Sequence, residues 1–167
     1  MNLSIRPATE EDAESIVGLL NPIIAAEKYT IVSEPISVVE QIDWIRSVSE
    51  CGLFHVAVGT NDRKVLGFQS VEPLSATEKA WKHVGDVATF VALDSHRQGV
   101  GRSLSQMTFE RAREHGFLKI NATIRADNPQ GVAFYKSMGF DVIGTARKHA
   151  LVRGEYIDEI LAEKFIG

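Results

Sequence analysis

The chain has 167 residues, 44% of them hydrophobic and 24% charged, a globular composition with enough apolar mass for one well-formed core. Its net charge of −4 gives no overall attraction to nucleic acid or to an anionic membrane, so neither is an expected partner. No apolar run approaches the ~18 residues of a membrane span, "MNLSIRPATEED" lacks the apolar core of a leader, and the lone Cys51 has no intrachain partner, which together predict a cytoplasmic, reducing setting.

Leu3 to Arg6 reads as a short strand. Thr9 and Asp12 then form a variant capping box, and Ile16, Leu19, Leu20 and Ile23 recur at helical spacing. Glu27 to Pro35 is a loop. Ser37 and Glu40 make a fuller capping box ahead of Val38, Val39, Ile42 and Ile45, a second helix. Leu53–Val58 and Val65–Val71 are apolar, β-branched strands, joined by the hairpin turn "GTNDRK". Pro73 to Lys82 is an exposed loop, and Val84 to Leu93 is the next strand. It runs directly into "HRQGVGRSL", His96 to Leu104. Val100, Leu104, Met107 and Ala112 mark a helix that Gly116 ends. Leu118, Ile120, Ala122 and Ile124 alternate with Lys119, Asn121 and Thr123, a strand pattern. Asn128 caps a further helix, Pro129 takes its first position, and Gly139 with Phe140 closes it. Phe140–Gly144 and Tyr156–Phe165 are the last strands, and "ARKHALVRGEYIDE" reads as a β-hairpin. No repeat or linker divides the chain. The order β-α-α-β-β-β-α-β-α-β-β predicts one mixed α/β domain, residues 1–167, built on one main sheet.

Strand, glycine turn and helix together suit a phosphate. The first helical N–H groups lack intrahelical partners and point along the positive end of the helix dipole. Glycine lets an anion approach that backbone closely, and Arg97 and Arg102 add charge. A GxG pair alone is equally a tight turn with solvated arginines. Leu104 stands where a dinucleotide fingerprint needs its third glycine, and no P-loop pattern is present.

The arrangement resembles the GNAT superfamily of acyl-CoA-dependent N-acetyltransferases. The likeness starts at "IRPATEED", continues through "VATFVALDSHRQGVGRSL" and ends with "ADNPQGVAFYKSMGF". The last two segments in this order, about 25 residues apart, are what make it specific. One position departs from the family pattern: His96 replaces its usual Gln or Arg. The resemblance implies a single, mostly antiparallel mixed sheet of about six or seven strands with about four helices, splayed at a bulge in the central strand.

It also implies acetyl-CoA as co-substrate, with Arg97, Gln98, Gly99, Val100, Gly101, Arg102 and Ser103 around the pyrophosphate. Backbone groups near Phe90 and Val91 are expected to hold the pantetheine arm, and the Val91 N–H to polarise the thioester carbonyl. Asn128 matches the family asparagine on that arm, and equally reads as a helix cap. Tyr135 matches the tyrosine that protonates the leaving sulfur and also counts among the CoA contacts. Asp86 stands near the glutamate that serves as base in the phosphinothricin and small amino-acid branch, one methylene shorter, with Glu34 and Glu72 as alternatives. Tyr29, Glu34, Glu72 and His149 are candidate acceptor contacts; Lys148 and Arg153 lie beside them in the tail.

Other residues carry less. Cys51 reads as a buried small hydrophobe and Trp44 as core, while Trp81 and His83 are candidates for a substrate mouth. No His, Cys, Asp and Glu set has metal-ligand spacing. The expected activity is direct acetyl transfer to the amine of a small molecule, most simply an amino acid or an analogue such as phosphinothricin or methionine sulfoximine. A homodimer is a family-level expectation. The competing readings are a protein or peptide N-terminal acetyltransferase and a non-catalytic acyl-CoA sensor.

Overall fold

The computed structural model describes residues 2–167. Its strands are β1 (Leu3–Pro7), β2 (Leu53–Gly59), β3 (Val65–Pro73), β4 (Val84–Val91), β5 (Lys119–Arg125), β6 (Asp141–Val152) and β7 (Glu155–Phe165). They form one seven-stranded sheet in the order β1-β2-β3-β4-β5-β7-β6. Every neighbouring pair is antiparallel except β4 with β5. The helices are α1 (Ala13–Ala25), α2 (Val38–Cys51), α3 (Val100–His115) and α4 (Pro129–Ser137). This is the mixed α/β architecture that the element order implies.

The expected caps explain where α1 and α2 begin. Asp12 accepts from the Thr9 N–H at 2.8 Å and from both Arg6 guanidinium nitrogens at 2.7 and 2.8 Å, so one carboxylate ties β1 to the start of α1. Ser37 and Glu40 exchange reciprocal bonds of 3.2 and 2.8 Å ahead of α2. These helices cover one sheet face with Ile16, Leu20, Ile45 and Val48 over Phe54, Val56 and Phe68. On the other face α3 buries Val100 and Leu104 against Ala57 and Leu66. Its far end, with Phe109 and Ala112, packs on Ile120, Tyr135 and Phe140.

Several boundaries differ from the sequence reading. The fourth strand stops at Val91, because the chain turns through a short 3-10 segment, Leu93–Ser95, into the glycine loop. Leu118 is exposed rather than inward, and β5 starts one residue later. β6 is a single long strand to Val152, with two register irregularities against β7. The 73–82 loop holds one 3-10 turn, Lys79–Trp81.

The site depends on how β4 meets β5. Their pairing covers only Val84↔Lys119, Gly85↔Ile120 and Asp86↔Asn121, and beyond this the strands part. The splay is as expected, but the bulge is not its cause. β4 stays in unbroken register with β3 through Gly67↔Val91, and β5 stays with β7 through Arg125↔Glu159. Each strand follows its outer partner, so two twisting pairs diverge and open a seam.

Asp12 makes the fold sensitive to acid. Burial pushes its carboxyl up, but the hydrogen bonds and charge of Arg6 and the Thr9 N–H outweigh this and hold it below the usual range. A depressed folded value adds stability above the unfolded aspartate pKa of ~3.9, lost as pH falls through the folded value. Asp12→Asn is therefore expected to be less stable at neutral pH and to lose less on acidification, read from urea midpoints between about pH 6 and 3.

Candidate active site

The seam opens into a cleft of about 1040 Å³. The second half of β4, the start of α3, the end of β5, α4 and part of the α1–α2 connection line it.

Backbone alternation decides which groups of β4 face the seam. The Ala92 N–H donates to Leu66 O at 2.9 Å, and Val84 O accepts from Leu74 at 3.0 Å. Even-numbered residues of β4 therefore bond to β3, and Val87, Thr89 and Val91 turn their backbone groups to the seam. The resemblance had put the arm contacts near Phe90 and Val91. The alternation turns the backbone groups of Thr89 and Val91 to the seam, while those of Phe90 bond to β3 and its ring stacks on Phe68 at 5.0 Å. The Val91 carbonyl lies 3.1 Å from His96 Nε2. A carbonyl only accepts, so that nitrogen carries the proton.

The glycine loop is shaped for an anion. Arg97 and Gly99 both take left-handed backbone, with φ of 62° and 83°. The first intrahelical bond of α3 runs from Ser103 N–H to Gly99 O at 3.0 Å. Val100, Gly101 and Arg102 thus present the N–H groups without helical acceptors. Gly101 is also where α4 crosses: a Cβ there would sit 2.9 Å from the Phe134 ring. Arg97 and Arg102 line the cleft. Gln98 instead donates to Asp94 O at 3.0 Å, and the Ser103 amide is consumed by the helix.

Tyr135 reaches the cleft from α4, only 8% exposed. Its hydroxyl lies 3.0 Å from Thr89 Oγ1. Burial pushes its pKa up to about 12, against a lowering by the Thr89 hydrogen bond. At neutral pH it is a proton donor. Asn128 caps α4 by accepting from Gly131 N–H at 3.0 Å, and it also lines the cleft.

The three candidate bases lie outside the cleft lining. Asp86 is exposed at the point where the strands part, flanked in register by Glu72 and Asn121. Crowding by the chain raises its carboxyl pKa, the Asn121 hydrogen bond lowers it, and the Glu72 charge raises it; exposure to water limits the shift. Glu72 accepts from Trp44 Nε1 at 2.9 Å. Glu34 is exposed in its loop.

Two residues that the sequence reading missed do line the cleft. Arg125 and Glu159 are cross-strand partners, 6% and 5% exposed. Arg125 is held by Asp127 at 2.7 and 2.8 Å and donates to Thr30 O at 3.0 Å. Glu159 pairs with His149 Nδ1 at 2.8 Å, so His149 meets the site through Glu159. A signal for Arg125 was present, because it extends the Asn121–Thr123 face of β5.

Tyr29 lines the cleft and meets the His96 ring edge-on at 5.7 Å. Arg153 pairs with Glu27 and donates to Ser33 O at 2.9 Å, pinning the α1–α2 connection to the last hairpin. Lys148 lies over the Tyr156 ring at 5.6 Å. Trp44 lines the cleft as well as packing on Phe54 and Phe68. Trp81 and His83 are exposed outside its lining. Cys51, expected to be buried, is exposed at the end of α2, where partial burial and the charges of Glu72 and Glu50 raise its thiol. Among the described residues no His, Cys, Asp and Glu side chains group as metal ligands, and no helix is long and apolar enough to cross a membrane.

Gly99→Ala is expected to cost about 1–2 kcal/mol, the strain of a left-handed non-glycine residue. It is also expected to weaken coenzyme A binding, with urea denaturation and isothermal titration as the two readouts.

The chain is similar over its length to several known proteins. It is 25% identical to the phosphinothricin N-acetyltransferase of Streptomyces coelicolor, over 93% of this chain and 92% of that protein. It is 22% identical to the L-methionine sulfoximine/L-methionine sulfone acetyltransferase of Pseudomonas aeruginosa, over 95% and 91%. A GNAT superfamily phosphinothricin acetyltransferase from Sinorhizobium meliloti, crystallised with acetyl-CoA, shares the fold with a TM-score of 0.91 at 18% identity, covering 100% of this chain and 90% of that one. The family model described as an acetyltransferase (GNAT) domain matches residues 5–161, nearly the whole chain, and on that match the protein belongs to the GNAT acetyltransferase family.

Proposed function

We propose that residues 1–167 work as one domain that transfers acetyl from acetyl-CoA directly to the amine of a small molecule, an amino acid or an analogue such as phosphinothricin or methionine sulfoximine. One observation carries this reading. The free backbone groups of β4, the Tyr135 hydroxyl and the glycine cradle open into the same cleft.

The residues fit the co-substrate. The amides of Val100, Gly101 and Arg102 suit its pyrophosphate, with Arg97 and Arg102 beside them. The seam groups of Thr89 and Val91 suit its extended arm as an added strand. The Val91 N–H, aimed at the thioester oxygen, contributes roughly 3 kcal/mol if well aligned. Tyr135 gives its proton to the departing sulfur, a role of about 10²–10⁴ in rate.

The amine must attack uncharged. Asp86 lies five residues before Val91, about 16 Å along a strand, so it acts as base only through intervening water. A lysine-like amine of pKa ~10.4 is under about 0.1% neutral at pH 7, whereas an α-amine near 7.7–8.0 is about 10–20% neutral. So distant a base suits an α-amine.

The acceptor side also supports a small molecule. The α1–α2 connection is fastened over the cleft through Arg125–Thr30 and Arg153–Ser33. A peptide acceptor needs an open groove there. Arg125 and Glu159 offer opposite charges, matching an acceptor that carries both. The similar Streptomyces and Pseudomonas enzymes are named for such acceptors. A pure sensor has no use for a buried tyrosine beside Thr89. A cytoplasmic homodimer completes the proposal; exposed Val142, Ile143, Leu151 and Tyr156 on β6 and β7 support the second copy.

The test is thiol release from acetyl-CoA near pH 8 against free amino acids, phosphinothricin, methionine sulfoximine, polyamines and short peptides. Turnover is expected on amino acids or their analogues, with Tyr135→Phe slower by at least about tenfold. Turnover confined to peptides would select the N-terminal acetyltransferase. Silence across the panel, with acetyl-CoA still raising the melting temperature, would favour the sensor.

A further inference from the structure

A buried polar row lies behind Tyr135. His55, Gln69 and Thr89 are in register on β2, β3 and β4, and Ser105 and Thr108 of α3 lie against them. Gln69 Nε2 donates to Thr89 Oγ1 at 2.8 Å and to Ser105 Oγ at 3.0 Å. Gln69 is fully buried, and its carbonyl oxygen has no partner. An unpaired buried carbonyl is costly, and an apolar side chain of the same shape would avoid the cost. The part of the Gln69 amide that is used is its donor end.

The donors matter because of hydroxyl bookkeeping. Thr89 has one proton and two lone pairs. The Gln69 amide can only donate, so it fills one lone pair. What remains for Tyr135, 3.0 Å away, is either the second lone pair or the Thr89 proton. In the first arrangement the tyrosine's proton is tied to Thr89. In the second it is free for the cleft, and Thr89 donates to the phenol oxygen. A donor bound at Thr89 Oγ1 strengthens that hydroxyl as a donor in turn.

We propose that Gln69 and Thr89 are positioning residues for the acid Tyr135. Gln69 directs the Thr89 proton to the phenol oxygen, and Thr89 thereby frees the phenol proton for the sulfur. This rests on reading Tyr135 as the acid. As the acceptor nitrogen bonds to the acetyl carbon and the carbon–sulfur bond breaks, the electron pair goes to sulfur, which takes the phenol proton. The Thr89 hydroxyl holds the resulting phenolate. A proton leaving the acceptor nitrogen then restores the phenol.

The test has two independent readouts. The first is kinetic. Thr89→Val is expected to lower kcat by about tenfold or more while the KM for acetyl-CoA stays within about twofold, and Thr89→Ser to restore most of the loss. Gln69→Met, of similar shape, is expected to lower kcat by about threefold or more. The second is spectroscopic. Difluorotyrosine at position 135 brings the phenol titration into the stable pH range. Its midpoint is expected to rise in Thr89→Val and Gln69→Met and to stay in place in Thr89→Ser, with melting temperatures confirming folded variants. An unmoved midpoint in Thr89→Val overturns the proposal, as does a valine variant with wild-type kcat. Full activity of Tyr135→Phe would remove the acid itself, yet the titration would still show whether Thr89 and Gln69 govern that hydroxyl.

Discussion

Backbone polar groups must be paired, and the parting of β4 and β5 breaks that rule on purpose. After Asp86 and Asn121 both strands lose their mutual partner while keeping the other one. The result is a row of rigidly held donors and acceptors that have lost their sheet partner, with the Val91 carbonyl met by His96 Nε2. Such a row has the spacing to pair with an extended amide chain. The same parting makes room for Tyr135 to reach Thr89 from α4 and for the first turn of α3 to face the cleft.

Holding such a seam open requires support on every side. Phe90 is stacked on Phe68, which stacks on Phe54, so the inner end of the seam rests on an aromatic column under α1 and α2. The other face rests on α3, whose Val100 and Leu104 are fully buried. Gly101 lets α4 approach α3 closely enough for Phe134 to lie against its backbone. Sheet, α3 and α4 are therefore set by packing before any ligand arrives, and a preorganised site loses little on binding.

The fold was largely legible in the sequence, because its signals are local. Capping boxes at Thr9–Asp12 and Ser37–Glu40, the Asn128–Pro129 start and the glycines Gly116 and Gly139 after α3 and α4 all lie within a few residues of what they specify. The glycine motif was legible for the same reason, as a left-handed turn at Gly99 into the first turn of α3. The charged wall of the cleft was not. Arg125 and Glu159 are 34 residues apart and meet only because β7 inserts beside β5. Cys51 was read as a small hydrophobe from its residue type alone, while the end of α2 faces solvent. The bulge was expected from likeness; the register of β3 with β4 shows a different way to the same opening.

His96 shows why a departure from a family pattern has to be read from geometry. Replacing Gln or Arg at the head of the glycine loop removes one long polar side chain from the cradle. In exchange the ring turns back to the strand and donates to the Val91 carbonyl, while the edge contact with Tyr29 reaches the acceptor loop. The bond anchors the carbonyl at the end of β4 to the start of the glycine loop. The polar reach lost from the loop is exchanged for a contact that ties the loop to the end of β4. The amides of Val100, Gly101 and Arg102 stay without helical acceptors whatever side chain stands at 96, so the change leaves the geometry of that turn intact.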